Sequence, residues 1–216
     1  MLLCSAVLPC AIARPAADGT VDAPAEPAWI LSRLARPAPV RTSFVEVRDS
    51  KLLKAPLRLS GEYLRPAPDT LVREVRAPYV EKTTIVSSKA GTGQATIERG
   101  GRSRSYSLAR VPELASLQSS FGALLSGDRA ALERDFAMRA EGTRTQWTLA
   151  LSPTEPGLAA RLKQITLFGR GAELRCIETV PVKAGEIQRT LLATAARAAA
   201  GRDDAALPAL CHGRAD

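Results

Sequence analysis

Alternating apolar and polar positions dominate the chain between residues 44 and 86. Such alternation, interrupted by turn-forming Pro, Gly and Asp, is typical of half-buried strands. Gly61 lies inside the second alternating run, which ends in Leu64-Arg65-Pro66. The pattern predicts four consecutive strands, at 44–47, 57–60, 71–75 and 80–86. Their spacing favours an antiparallel meander that curls around an apolar face.

Further strands are predicted on both sides of a helical region. Gly100-Gly101 indicates a hairpin that joins strands at 94–99 and 103–108. Alternation resumes later and predicts strands at 136–141, 146–152, 164–168, 173–180 and 186–193. The total is about eleven strands.

Helical spacing replaces alternation in four places. A short helix begins at Pro27 and stops before Pro37, and apolar residues after Pro112 follow a helical period until Gly127. Asp128 is a candidate cap for a helix at 129–134. The fourth segment is Ala-rich, near 193–200. One sheet with a helix-bearing insertion predicts an α+β fold with a strongly curved antiparallel sheet.

The N-terminus has the features of an export signal. Residues 1–13 are apolar and end in Ala11-Ile12-Ala13, a small-x-small cleavage pattern, although a basic start is missing. The run before Cys10 faintly resembles a lipidation site, which the adjacent Pro9 disfavours. We therefore expect a signal peptide at 1–13, a disordered linker at 14–25, one domain at 26–200 and a C-terminal tail at 201–216.

Composition narrows the possible partners. The net charge of +8 suggests an anionic partner, which can be a nucleic acid, an acidic lipid or an acidic protein. The arginines are spread over the chain without a basic run, so most of them are expected at a solvated surface. One basic segment contains a single aromatic residue, Tyr106, beside Arg99, Arg102 and Arg104. A single tyrosine does not provide the series of stacking side chains that binds nucleic-acid bases. We expect no nucleic-acid partner and, without a run of about 20 apolar residues, no integral membrane segment.

Two cysteines remain if Cys4 and Cys10 leave with the signal. Cys176 and Cys211 then form an even pair, which in an exported protein favours a disulfide over two free thiols. Catalysis and metal binding are poorly supported, because His212 is the sole histidine and Cys-x-x-Cys is absent. We predict no enzyme activity, no metal and no cofactor.

Several motifs occur in a particular order along the chain. They are an N-terminal helix, Phe44-x-Glu46, a strand with Gly61, Leu64-Arg65-Pro66, Leu71, Pro78-x-x-Glu81, a helical insertion, Trp147-x-Leu-x-Leu-x-Pro153 and Leu167-x-Gly169. This order resembles the LolA-like family, relatives of the periplasmic carrier of outer-membrane lipoproteins, over about residues 27–193. Arg73 and Val75 stand where Tyr and Trp usually follow. In these departures the sequence is more similar to the divergent LolA-related branch, which is found beside exporters of lipid-linked pigments such as aryl polyenes.

The resemblance implies an incomplete, half-open β-barrel whose open side is covered by helices. Its concave face would be apolar and receive acyl chains. Arg65 would hold the helical lid by hydrogen bonds, and Leu71 would line the cavity. Alternation on the strands and helical spacing on the lid add further candidates for ligand contact, although by default both patterns indicate a packed core. They are Leu57, Leu59, Tyr63, Trp147, Leu149 and Leu151 on strands, and Leu114, Leu117, Phe121 and Leu124 on the lid.

The expected function is a periplasmic carrier or chaperone, without enzyme activity, for an acylated or polyene-like molecule that moves towards the outer membrane. Its partners would be the lipid or acylated cargo and membrane-bound donor and acceptor proteins. The alternative is a protein-interaction module of an envelope export or sensing complex that uses the same fold without lipid cargo.

Overall fold

The structure, a computed structural model, describes residues 23–48, 55–87, 93–110, 122–124, 126–182 and 187–213. These residues contain eleven strands, in agreement with the sequence-based expectation. The strands are β1 (Val40–Arg48), β2 (Leu57–Ala67), β3 (Thr70–Ala77), β4 (Glu81–Ser87), β5 (Gly93–Arg99), β6 (Arg102–Ser107), β7 (Phe136–Gly142), β8 (Trp147–Pro153), β9 (Leu162–Arg170), β10 (Glu173–Pro181) and β11 (Gln188–Leu192).

All eleven strands form one curved antiparallel sheet, in the order β6-β5-β4-β3-β2-β1-β11-β10-β9-β8-β7. β6 and β7 are its two edges, so the sheet does not close into a barrel. β1 lies in the middle, where it pairs with β2 on one side and with β11 on the other. The predicted α+β class and the half-open barrel are therefore confirmed.

Short helices accompany the sheet: α1 (Pro27–Leu34), α2 (Arg129–Asp135), α3 (Pro156–Ala159), α4 (Ala193–Ala198) and α5 (Leu207–Cys211). The predicted cap is confirmed, because Asp128 Oδ1 accepts a hydrogen bond of 3.0 Å from the backbone N–H of Ala131. Of the helix expected before Gly127, residues 122–124 and 126 are described and are helical, whereas Leu114, Leu117 and Phe121 lie outside the described residues. Neither α3 nor α5 was predicted.

The inner face of the sheet is the side that carries Phe44, Leu59, Leu149 and Leu167. α1 lies against this face through Ile30, Leu31 and Leu34, which are buried with residues of β7, β8 and β9. Burial of each such side chain contributes about 1.5–3 kcal/mol. This half of the inner face is consequently a packed core.

The outer face carries Val45, Cys176 and Leu191, which pack against α4 and α5. Cys211 on α5 is bonded to Cys176 on β10, so the predicted disulfide is confirmed. The C-terminal tail is thereby attached to β10 on the outer face of the sheet. Among the described residues, no helix is long and apolar enough to cross a membrane.

Candidate functional site

A cavity of about 340 Å³ lies where α1 stops covering the inner face. It is bounded by the end of α1, by β1, β2 and β3, and by the turn between β9 and β10. The lining residues combine aliphatic side chains with three arginines and one glutamate. Those that matter most for its chemistry are Tyr63, Arg65, Leu71, Leu124, Arg36 and Glu173.

Arg65 reaches this cavity from within β2. The strand extends from Leu57 to Ala67, beyond the predicted 57–60, so Arg65 is part of the sheet. Only 6% of the residue is exposed. Its Nη2 donates a hydrogen bond to the carbonyl oxygen of Arg36, just after α1, while its Nε is buried without a hydrogen-bond partner. Arg65 therefore ties β2 to the end of α1.

Tyr63 forms the wall between the cavity and a more polar region of the inner face. Its ring lies 4.7 Å from the ring of Phe44, and its hydroxyl is hydrogen-bonded to Arg73. Burial raises the pKa of the Tyr63 phenol, and the Glu46 carboxylate raises it further, against the opposing effect of Arg73. The phenol is therefore held neutral.

Beyond Tyr63 the inner face carries charged side chains in place of aliphatic ones. Glu46 is 1% exposed and accepts hydrogen bonds from Arg48 at 2.6 Å and from Arg73 at 3.2 Å. Glu81 lies 3.9 Å from Arg73 and 3.7 Å from Arg99. We call these five residues the ionic cluster. The entirely apolar concave face implied by the family resemblance is thus replaced on β1, β3 and β4 by paired charges.

Arg73 is the centre of this cluster. Burial lowers the pKa of its guanidinium, but Glu46 and Tyr63 outweigh that effect and the net shift is upward. Its guanidinium carbon also lies 4.9 Å above the ring of Phe44. Arg73 therefore stays charged and holds Tyr63, Phe44 and Glu46 in one arrangement.

The predicted ligand-contact residues separate into distinct groups. Tyr63, Leu71 and Leu124 line the cavity, together with Arg65, which was expected to hold the lid rather than to contact the ligand. Leu57 and Leu59 pack beside Phe44 on the same face. The remaining described candidates, Trp147, Leu149 and Leu151, are buried in the core beneath α1.

Sequence analysis did not identify the ionic cluster, although its signal is present. Residues 44, 46 and 48 alternate, so Glu46 and Arg48 face the same side as the buried Phe44. Glu81 ends the Pro78-x-x-Glu81 motif and pairs across the sheet with Val75 and Arg99. The sequence signal for the cluster was therefore a charged residue, Glu46, on the same side of a central strand as the buried Phe44.

A second cavity, of about 380 Å³, lies beside the disulfide at one end of β7, β8 and β9. His212 borders it, and its Nε2 lies 3.1 Å from Glu178 Oε1. Glu178, Cys211 and His212 are close enough to suggest a metal site. Because Cys211 is bonded to Cys176, only two of these three groups are left as ligands, fewer than a structural zinc site uses.

The chain is similar to a known protein family and to solved structures. Residues 16–215 match the model of a family described as "Outer membrane lipoprotein carrier protein LolA-like". The chain is similar to the crystal structure of LolA superfamily protein NE2245 from Nitrosomonas europaea, with 11% identity, a TM-score of 0.39 and coverage of 76% of this chain and 90% of that one. It is also similar to the crystal structure of LprF from Mycobacterium bovis, with 14% identity and a TM-score of 0.33. That match covers 80% of this chain and 94% of the LprF chain. No match was found among curated protein sequences.

Proposed function

The chain belongs to the outer membrane lipoprotein carrier protein LolA-like family, and from this premise we propose that it is a periplasmic, non-enzymatic carrier of a hydrophobic ligand. The ligand is an acylated or polyene-like molecule on its way to the outer membrane. The observation that carries the proposal is the cavity on the inner face, which leaves room for a guest beside a packed core.

The size of the cavity limits what enters it. Its volume of about 340 Å³ lies near the lower end of the range of small-molecule sites, roughly 300–1,000 Å³. This is suited to one hydrocarbon chain rather than to several. Each buried methylene contributes about 0.8 kcal/mol, so ten of them contribute on the order of 8 kcal/mol. Binding of this strength needs no covalent chemistry.

Release of the ligand requires the cavity to open. The hydrogen bond from Arg65 to the Arg36 carbonyl joins β2 to the end of α1 at the cavity wall. We propose that this hydrogen bond holds the cavity closed. When α1 moves, the hydrogen bond and the apolar contacts of Leu34 are replaced by contacts with the ligand. The cargo would be received from and passed to membrane-bound partner proteins.

The Cys176–Cys211 bond supports the proposed location. Disulfides form and persist in oxidising compartments such as the bacterial periplasm. Residues 1–13 would be the export signal.

The proposal is tested by binding of a fluorescent acyl probe to the full chain. Leu71→Trp introduces a large side chain at the cavity wall and is expected to reduce probe affinity at least about tenfold. Val86→Trp is the matched control, because Val86 is 43% exposed and does not line the cavity. Native mass spectrometry of protein purified from cell envelopes should show a lipid-sized mass that is reduced in the Leu71 variant.

Absence of probe binding and of any co-purified lipid would remove the carrier function. The alternative function, a protein-interaction module, would then be the better explanation of the fold. One observation favours this second function. All six residues of β6, an edge strand of the sheet, are exposed. Edge strands present unpaired backbone groups to which another chain adds a strand.

A further inference from the structure

We propose that the cavity recognises an anionic group on the cargo, a carboxylate or a phosphate attached to the hydrocarbon chain, and that Arg65 binds it. This inference rests on the proposed carrier function and specifies the class of its ligand. Three observations on the described residues carry it: the burial of Arg65, its unused hydrogen-bond donors and the pairing of the other charges around the cavity.

Arg65 is a buried cation whose guanidinium has few hydrogen-bond partners among the described residues. A guanidinium has five N–H donors in a planar fork. In the described structure, one hydrogen bond leads to the Arg36 carbonyl, and Nε is buried with no acceptor. Removal of a charge from water is destabilising unless a partner replaces the water. A buried donor of this kind therefore points to a ligand acceptor.

Carboxylates near the cavity are already engaged elsewhere. Glu173, the acidic residue among the cavity-lining residues, accepts hydrogen bonds from the backbone N–H and the hydroxyl of Thr194. Glu62, one strand position away from the cavity wall, lies 2.6 Å from both Arg41 and Arg76. No described carboxylate forms an ion pair with Arg65.

The surroundings of Arg65 favour an anion. Arg36 and Arg41 also line the cavity, so its lining carries three guanidinium groups against one carboxylate. The hydroxyl of Tyr63 is bound to Arg73, and the ionic cluster pairs its own charges on the far side of that wall. Aliphatic contacts come from Leu34, Leu71, Leu124 and Leu174. The chemistry matches an amphiphile with one hydrocarbon chain and an anionic head.

A guanidinium binds carboxylate or phosphate through parallel N–H donors, and such charge-assisted bonds are stronger than neutral ones. The low local dielectric of a buried site strengthens them further. An anionic chain should consequently bind at least about tenfold more tightly than a neutral chain of the same length.

The test is competition for a neutral fluorescent acyl probe bound to the full-length protein. The competitors are palmitate, hexadecyl phosphate, methyl palmitate and inorganic phosphate alone. We expect palmitate or hexadecyl phosphate to be preferred over methyl palmitate by about tenfold or more in the wild type. The preference should disappear in Arg65→Gln and be partly kept in Arg65→Lys, which retains the charge without the planar fork.

Arg139→Gln is the control substitution, because Arg139 is exposed on the edge strand β7 and does not line the cavity. It should keep the preference for anionic chains. The wild-type comparison between palmitate and methyl palmitate does not depend on any variant folding correctly.

Each remaining outcome has one meaning. Equal competition by charged and neutral chains overturns the anion-binding inference and leaves the carrier function intact. Failure of every chain to bind overturns the carrier function itself. Binding of inorganic phosphate as strongly as hexadecyl phosphate overturns the assignment to a lipid-borne group, because the chain would then contribute nothing.

Discussion

Individual side chains around the cavity differ in how their charge is satisfied. The buried Glu46 and the half-buried Arg73 compensate each other, whereas Arg65 reaches one backbone carbonyl among the described residues. Tyr63 stands between these two environments, with an aromatic contact to Phe44 on one side and the cavity on the other. At the residue scale the site is therefore an aliphatic pocket with a polar boundary.

The phenol of Tyr63 provides a prediction about pH. Because its pKa is raised in the folded state, chiefly by burial, the unfolded chain ionises this group first, near pH 10. The stability it contributes is complete below about pH 10 and is lost as pH rises through the folded pKa. We expect the free energy of unfolding, measured with urea, to fall less steeply above about pH 10 in Tyr63→Phe than in the wild type.

Tyr106→Phe is the control for this titration, since Tyr106 is 41% exposed. The ultraviolet absorbance of tyrosinate should show one late-titrating group that is missing only in Tyr63→Phe. Three tyrosines that titrate together would contradict the buried, neutral phenol.

At the scale of elements, the packing of β8 against β9 explains two motifs of the sequence. Trp147 is paired with Gly169 across these strands. The indole covers the glycine so closely that a Cβ at position 169 would lie 2.0 Å from Trp147 Cζ2. The indole N–H donates to the Gly171 carbonyl at 2.9 Å. The tryptophan and glycine motifs, 22 residues apart in sequence, are thus two halves of one contact.

Gly169→Ala should disturb this contact. The added methyl displaces the indole from a buried position, and overpacking of this kind costs about 1–3 kcal/mol. We expect a lower melting temperature and a changed tryptophan fluorescence spectrum, measured on the purified chain. Gly122→Ala is the control, because a Cβ at position 122 meets no atom of the described residues within 4 Å.

An unchanged melting temperature and spectrum in Gly169→Ala would show that β8 and β9 tolerate a larger side chain at this crossing. The close approach of Trp147 and Gly169 would then not be required for the packing beneath α1.

For the whole molecule, two sets of helices stabilise the sheet from opposite sides. α1 buries the β7–β9 half of the inner face, while α4 and α5 pack on the outer face beside the disulfide. The part of the inner face near β1, β2 and β3 retains the cavity. This asymmetry allows one half of the sheet to be rigid while the other half accommodates a ligand.

The disulfide gives a prediction at this scale. Cys176 and Cys211 are 35 residues apart, and closure of such a loop stabilises the folded state by about 4 kcal/mol on the chain-entropy model. Cys176→Ser should therefore lower the melting temperature by about 10 °C under oxidising conditions. Differential scanning calorimetry with and without reductant measures the change.

Reductant should lower the melting temperature of the wild type and leave Cys176→Ser unaffected. The double variant Cys176→Ser/Cys211→Ser should match the single one, because both lack the same bond. Equal stability of the oxidised and reduced wild type would contradict a stabilising role.

Most of the fold was predictable because its signals are local. The two-residue period specifies strands and the side each residue faces, Gly100 and Gly101 provide the positive φ values of the hairpin turn, and Asp128 marks a helix start. The even number of remaining cysteines predicted the disulfide. The length of β2 was underestimated, since the predicted strand covered 57–60, whereas pairing with β1 extends to Arg65 and pairing with β3 extends to Ala67.

The amino-acid sequence by itself therefore determined the strands, their faces and the antiparallel α+β class, because each depends on residues a few positions apart. Only the tertiary structure decided that α1 fills one half of the inner face and leaves a cavity over the other. It also brought Arg36 to Arg65 and Glu46 to Arg73, each pair separated by 27 residues or more. Which faces cover each other depends on long-range packing, for which a periodic pattern has no information.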